Sequence, residues 1–277
     1  MQFNSEAFNV STWGSPLKIL FIGDIVGRPG RQMVTRHLAS LVDRQLIDLV
    51  VANAENAAAG FGVTADVVAE LLALGVDVLT TGNHVWDKRE SLPILDQEQR
   101  LLRPANYPPG LPGKGWGVFR TSAELPVAIV NLEGRVFMSN LDCPFRAADA
   151  ILAELRDRTP VVLVDFHAET TSEKGAMAAY LDGRVSAVCG THTHVQTADE
   201  RLLPGGTAFI SDVGMTGSRD SVIGIRKELS VERFLTQVPV RFEVAKKEPM
   251  LCAVVVTVDE ATGRAEAIER VQIVDRE

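Results

Sequence analysis

The sequence predicts an α/β fold built on a parallel sheet. Three observations carry that prediction. Apolar runs of strand length alternate with helix-period segments between Lys18 and Thr80. Each run stops at a glycine or a polar residue. Near the end of the chain the pattern changes to two long apolar runs around a turn. Strand, helix, strand at short spacing requires crossover connections and so gives parallel neighbours.

In order, Lys18–Ile22 reads as a strand ending at Gly23, with Asp24 behind it. Residues 31–44 place Met33, Val34, His37, Leu38, Leu41 and Val42 at helical spacing. His37 reads as a surface or partly buried helix residue. Asp48–Ala52 is the second strand, followed by Asn53-Ala-Glu-Asn56 and a loop of small residues. Thr64 suits an N-cap, and the helix Ala65–Leu74 stops at Gly75. Val76–Thr80 is the third strand, with Thr81-Gly-Asn-His84 after it.

Residues 103–117, rich in Pro and Gly, read as an ordered surface loop. Val127–Asn131 is a strand, and Leu132–Met138 a loop. Residues 145–157 are helical, and Val161–Phe166 is a strand that ends at His167. Thr170 and Glu173 have capping-box spacing at the start of a helix reaching about Leu181. Val185–Cys189 is a strand, and Ala208–Asp212 leads into a glycine-bearing loop, 213–224. Leu251–Val258 and Ala265–Val274 flank Asp259-Glu-Ala-Thr-Gly263, a hairpin expected at the edge of the fold.

With 277 residues, 46% of them hydrophobic, the chain can bury a substantial core. Residues 1–16 lack periodicity and carry no signal-peptide pattern. They read as a disordered extension or a vector-derived remnant, and residues 17–277 as one domain. No apolar run reaches the 18 or so residues of a membrane span. A net charge of −8 makes long nucleic acid an unsuitable partner. Three cysteines, Cys143, Cys189 and Cys252, form no CxxC and point to a reduced, cytoplasmic setting. Cys189 reads as core.

Chemistry concentrates behind the strands. Gly190-Thr-His-Thr-His194 follows one apolar run, and alternate residues of an extended chain point the same way, so His192 and His194 can serve one site. They can share one ion or hold one each of a pair. Other strand ends deliver Asp24, then Glu55 and Asn56, then Asn83 and His84, then His167. Ligands of open α/β sheets bind at the carboxyl ends of strands. Two carboxylates, two amides and up to four imidazoles exceed the needs of one tetrahedral zinc. They suit two divalent ions, Fe or Mn first and Zn next, with Glu55 as the bridge. Two other features carry less. Arg28 or Arg31 could meet a phosphate at a helix start, or the loop is a tight turn with both arginines solvated. Ser211-Asp212 reads as a loop cap first, and as a border of the site second.

Gly23-Asp24, Gly82-Asn83-His84, His167 and Gly190–His194 resemble the calcineurin-like metallophosphoesterase signature. More closely, Gly23-Asp-Ile-Val-Gly-Arg-Pro-Gly-Arg31, Asn53–Asn56, Thr81–His84 and Val213-Gly-Met-Thr-Gly217 resemble the YmdB-like family of bacterial phosphodiesterases. The resemblance runs from about Lys18 to Val274. It implies a four-layer α/β/β/α sandwich, a di-metal centre, and hydrolysis of cyclic nucleotides, notably 2′,3′-cyclic ones. It assigns Asp24, Glu55, Asn56 and His194 to one ion, and Glu55, Asn83, His167 and His192 to the other. Val26 stands where the wider superfamily places a ligand histidine, and Glu55-Asn56 lies in the region of its bridging aspartate. His84, adjacent to a ligand and left over, is the natural proton donor to the leaving alcohol.

Two rival functions fit the same residues. One is a phosphomonoesterase or nucleotidase. The other is a regulatory protein that binds a nucleotide or RNA end with little turnover. A homo-oligomer is compatible with either. An intact His84 favours catalysis. The small, neutral residues around the ligands favour a diester over a monoester dianion.

Overall fold

A computed structural model describes residues 16–275; the reading of the first residues as an extension falls, apart from Pro16, outside them. The chain begins with β1 (Leu17–Ile22), β2 (Asp24–Ile25), α1 (Gly27–Gln45), β3 (Leu49–Asn53), α2 (Ala65–Ala73) and β4 (Val78–Thr80). A 3₁₀ turn at Arg89–Ser91 leads into α3 (Leu92–Gln97), then β5 (Trp116–Arg120), β6 (Pro126–Glu133), α4 (Pro144–Leu155), β7 (Val162–His167) and α5 (Thr171–Leu181). The remainder is β8 (Ala187–Thr191), β9 (Arg201–Leu202), β10 (Ala208–Ile210), β11 (Met215–Ser218), α6 (Lys227–Thr236), β12 (Pro249–Val258) and β13 (Ala265–Val274).

The strands form two sheets. One runs β2-β11-β12-β1-β3-β4, with β13 also paired to β12; the other runs β5-β6-β7-β8-β10-β9. β1, β3 and β4 are mutually parallel, as are β6, β7, β8 and β10. Only half of the terminal hairpin is at the edge: among the described strands β13 pairs with β12 alone, while β12 is interior. β12 lies antiparallel along β1, from Leu17 opposite Val258 to Ile22 opposite Ala253. Its apolar residues are buried on both faces, which a two-sided interior position demands and an edge does not.

Three apolar clusters separate four layers. Leu20, Ile22, Val50, Ala52 and Leu251 meet Met33, Leu38 and Leu41 of α1 and Val68 and Leu71 of α2. Ile19, Phe21, Leu49, Val51 and Val254 meet Ile129, Leu163, Ala187 and Ile210 between the sheets. Val130, Val164, Phe166 and Val188 meet Ile151 of α4 and Met177 of α5. Successive strand residues alternate faces, so β1 sends Ile19 and Phe21 one way and Leu20 and Ile22 the other. The result is the expected α/β/β/α sandwich.

Several boundaries differ from the sequence reading for local reasons. α1 begins four residues early, because Pro29 suits a first helical turn. Residues 103–117 are loop only as far as Gly115; Trp116 begins β5, which pairs antiparallel with β6. β6 continues to Glu133, inside the expected loop. The loop 213–224 contains β11, held between β2 and β12. Thr64 caps α2 as expected, accepting from the Val67 amide at 3.4 Å. The capping box at Thr170 is half made. Thr170 accepts from the Glu173 amide, but the Glu173 carboxylate accepts from the Arg135 and Val136 amides instead. His37 sits half-buried on α1, 2.8 Å from Asp275. The cysteines are free, and Cys189 is buried in the inter-sheet core. No described helix is long and apolar enough to cross a membrane.

Candidate metal centre

At the carboxyl ends of the strands the layer between the sheets changes from apolar to polar. On the inward face of β7, Leu163 is followed by Asp165 and His167. On β3, Leu49 and Val51 are followed by Asn53, and on β8, Ala187 and Cys189 by Thr191. All of these polar side chains are buried. Both sheets therefore contribute: Asp24, Glu55, Asn56, Asn83 and His84 come from one, and His167, His192 and His194 from the other.

His167 Nε2 is the focus. It lies 3.1 Å from Glu55 Oε1, 3.0 Å from Asn83 Oδ1 and 3.1 Å from His192 Nδ1. One imidazole proton cannot satisfy three such partners. Ligands at about 2.0–2.2 Å from one ion have neighbours roughly 3 Å apart, which is the spacing seen. Glu55, His167 and His192 thus form a cluster able to hold a cation. A second group adjoins it. The Asn56 amide lies 3.1 Å from Glu55 Oε1 and 3.1 Å from His194 Nε2. Asp24 is fully buried; Oδ2 accepts from the His192 amide at 3.2 Å, but Oδ1 has no hydrogen-bond partner. That orphaned oxygen lies 3.9 Å from both His194 Nε2 and His167 Nδ1. Glu55 stands between the two groups.

Each histidine is anchored through the nitrogen it does not turn to the cluster. His167 Nδ1 is 2.9 Å from Thr191 Oγ1, which donates at 2.6 Å to Asp165. His192 Nε2 is 3.0 Å from Glu169, and His194 Nδ1 is 2.8 Å from the Ile223 carbonyl. Metal-binding histidines are held in this way, with the second ring N–H on a carboxylate or carbonyl. His84 follows the same rule, with Nδ1 2.8 Å from Asp87. Its ring sits outside the cluster, edge-on to Phe61, while its amide donates to Glu55 Oε2 at 3.2 Å.

The charge balance also suits a cation. Burial alone would raise the Glu55 carboxyl, but the His167 imidazole and then His84 outweigh it and hold Glu55 low. Burial would lower His167, but Glu55, Asp24 and Asp165 outweigh it and hold a proton there. Burial and the neighbouring His167 push His192 down to about 3, leaving a free ring lone pair. Burial raises Asp24. A proton on His167 serves as the counter-charge, and a cation at the same point would displace it.

The backbone is shaped around this cluster. His192 and His194 have φ of 99° and 67°. They are not in extended chain, as alternation predicted. The bends send His192 to His167 and His194 to Asn56, so the two rings serve different groups. Positive φ at non-glycine residues costs energy and marks sites where the surroundings impose it. Here the restraint is Asp212, whose Oδ2 accepts from the Thr193 amide and hydroxyl at 3.0 and 2.8 Å and from Lys174 at 2.7 Å. The loop-cap reading of Ser211-Asp212 is correct, and Lys174, 1% exposed, is the unforeseen partner. Gly82 is needed for space: a Cβ there would lie 2.3 Å from His167 Nε2 and 2.4 Å from Glu55 Oε2.

All eight residues singled out in the sequence meet at this edge. Those missed are the supports Asp87, Asp165, Glu169 and Lys174, and the buried Glu133. Asp165 and Glu133 carried a signal, a carboxylate on the inward face of a mainly apolar strand. Glu133 has no hydrogen-bond partner on either oxygen, and burial raises it to about 7.

Comparison with known proteins identifies the family. The model of the YmdB-like protein family matches residues 20–271. A 2′,3′-cyclic-nucleotide 2′-phosphodiesterase of Bacillus subtilis is 48% identical over 94% of this chain and 98% of its own. A putative phosphatase/phosphodiesterase of Mycoplasma pneumoniae is 37% identical over 94% of each chain. Among solved structures, a hypothetical protein from Thermus thermophilus superposes with a TM-score of 0.88 at 43% identity, covering 94% of this chain and 100% of that one. A novel phosphatase of Mycoplasma pneumoniae gives 0.87 at 35% identity over 94% of each. The chain belongs to the YmdB-like family.

Proposed function

We propose that the chain is a phosphodiesterase that hydrolyses 2′,3′-cyclic nucleotides at a centre holding two divalent ions. The observation that carries this reading is the convergence of Glu55, Asn83 and His192 on His167 Nε2, with His84 beside the cluster but outside it. Asp24, Asn56 and His194 would hold one ion, Asn83, His167 and His192 the other, with Glu55 between them. The donor set of carboxylate, amide and imidazole oxygen and nitrogen suits Fe or Mn, and next Zn. Bound ions would supply positive charge at the phosphate oxygens and a water activated near neutral pH.

The protein's own residues do the rest. Asp87 holds Nδ1 of His84, leaving Nε2 to carry a proton to the ribose oxygen as its bond to phosphorus breaks. Phe61 packs against the same ring and limits its rotation. A monoester dianion calls for added cationic clamps. Among the described residues no lysine or arginine is in hydrogen-bond contact with the eight site residues: Lys174 is spent on Asp212, and Arg31 on Glu70 and the Ala57 carbonyl. The balance favours a singly charged diester. The Bacillus relative, named for such a substrate, supports the same choice. A small cyclic nucleotide and a cytoplasmic setting complete the reading, the latter in keeping with three free thiols.

Side-by-side turnover of 2′,3′-cyclic nucleotides and nucleoside monophosphates, with Mn²⁺ or Fe²⁺ supplied, tests the substrate class. Higher kcat/KM on the cyclic diesters is expected, with weak base preference; faster monoester turnover contradicts it. His84→Ala should keep its metal and lower kcat by about 10²–10⁴-fold. The loss should shrink on nitrophenyl esters, whose leaving group needs little protonation; equal losses would remove His84 from that role. Gly82→Ala should fold but take up less metal than the wild type, because its methyl occupies the space between Glu55 and His167. Elemental analysis of the purified variant reads this directly, and full occupancy would contradict the assigned ligand set.

A further inference from the structure

A second feature lies behind the wall of the site. The loop 54–62 presents Glu55 and Asn56 on one side. Its other side borders a shallow cleft of about 310 Å³ lined by Arg28, Arg31, Ala58, Ala59, Thr64, Val67 and Lys88. Three of these residues are cationic and none is acidic, on a chain with a net charge of −8. Arg31 is engaged, by Glu70 at 2.8 Å and the Ala57 carbonyl at 2.6 Å. Among the described residues Arg28 and Lys88 have no ion-pair or side-chain hydrogen-bond partner. Arg28 stands in the first turn of α1, which carries no acidic residue there and no side-chain cap. Helix starts attract anions.

The cleft and the site share their structure. The Gly27 amide at the start of α1 donates to the Asn56 carbonyl at 2.9 Å. A Cβ on Gly62 would lie 2.8 Å from the Lys88 side chain and 3.4 Å from the His84 carbonyl. Phe61, next to Gly62, packs on the His84 ring. Loop 54–62 therefore touches both His84 and Lys88, so the cleft adjoins the segment that would meet the leaving oxygen.

We infer that the cleft binds a second phosphate group of the substrate, carried on the 5′ side of the nucleoside that bears the cyclic phosphate. This deepens the phosphodiesterase reading and rests on it. Such a group is either a terminal 5′-phosphate or the diester linking one preceding nucleotide. The net charge of −8 restricts the preference to short substrates.

The test compares three substrates on the metal-loaded enzyme: 2′,3′-cyclic AMP, its 5′-phosphorylated form, and a dinucleotide ending in the same cyclic phosphate. The wild type should show KM about tenfold lower for at least one of the two longer substrates. Whether the 5′-phosphorylated form or the dinucleotide gains identifies the phosphate. Arg28→Ala with Lys88→Ala should abolish the gain and leave 2′,3′-cyclic AMP turnover unchanged, and raised salt should shrink it. Turnover of all three at equal KM, or a gain that survives the double substitution, overturns the inference and leaves the phosphodiesterase reading standing. Failure to turn over any of the three overturns both.

Discussion

The structure depends on two carboxylates that water cannot reach. Asp24 and Glu55 are 0% and 1% exposed, and they lie where two sheets of opposite chain segments meet. An ionised group removed from water is tolerated only with compensating charge and hydrogen bonds. Amides, imidazoles and the ends of five strands are arranged to provide them, yet one Asp24 oxygen still lacks a partner. A cation held there would resolve that imbalance.

Holding the charges requires a rigid frame, and the sandwich supplies it. Apolar packing between the sheets stops up to four residues short of the strand ends, and buried polar side chains take over. Asp165 links three strands, accepting from Asn53, Thr80 and Thr191. Asp212 and Lys174 form a buried pair that pins the loop bearing His192 and His194. Removing one member of such a pair typically costs about 3–5 kcal/mol, so these bonds can hold the unfavourable backbone of both histidines. The chemical groups sit on loops, but the loops are tied to β7, β8, β10 and α5.

The site was legible in the sequence because its residues follow apolar runs and are of one chemical type. Asp24, Glu55, Asn83, His167 and His192 each stand just behind a strand, and strand ends are where α/β sheets bind ligands. The division of labour between His192 and His194 was not legible in their spacing, which left a shared ion open; only the family resemblance assigned it. It rests on two positive φ angles imposed by Asp212, a residue distant in sequence. β5 and β11 were missed for a related reason. Trp116–Arg120 and Met215–Ser218 are short and glycine-bearing, and they become strands only through pairing with β6 and β12. The place of β12 beside β1 follows from long-range packing, which no local pattern encodes. Asp165 and Glu133 are the instructive omissions. Each is an acidic residue on the inward face of a mainly apolar strand, a cost that an interior accepts only for a purpose.

The central claim is that these strand ends form a built centre for two ions. Elemental analysis of the protein purified and then loaded with Mn²⁺ measures it most directly. The account predicts two ions per chain in the wild type and fewer in His192→Ala. One ion per chain in the wild type, or a His192→Ala protein that keeps both, would contradict it.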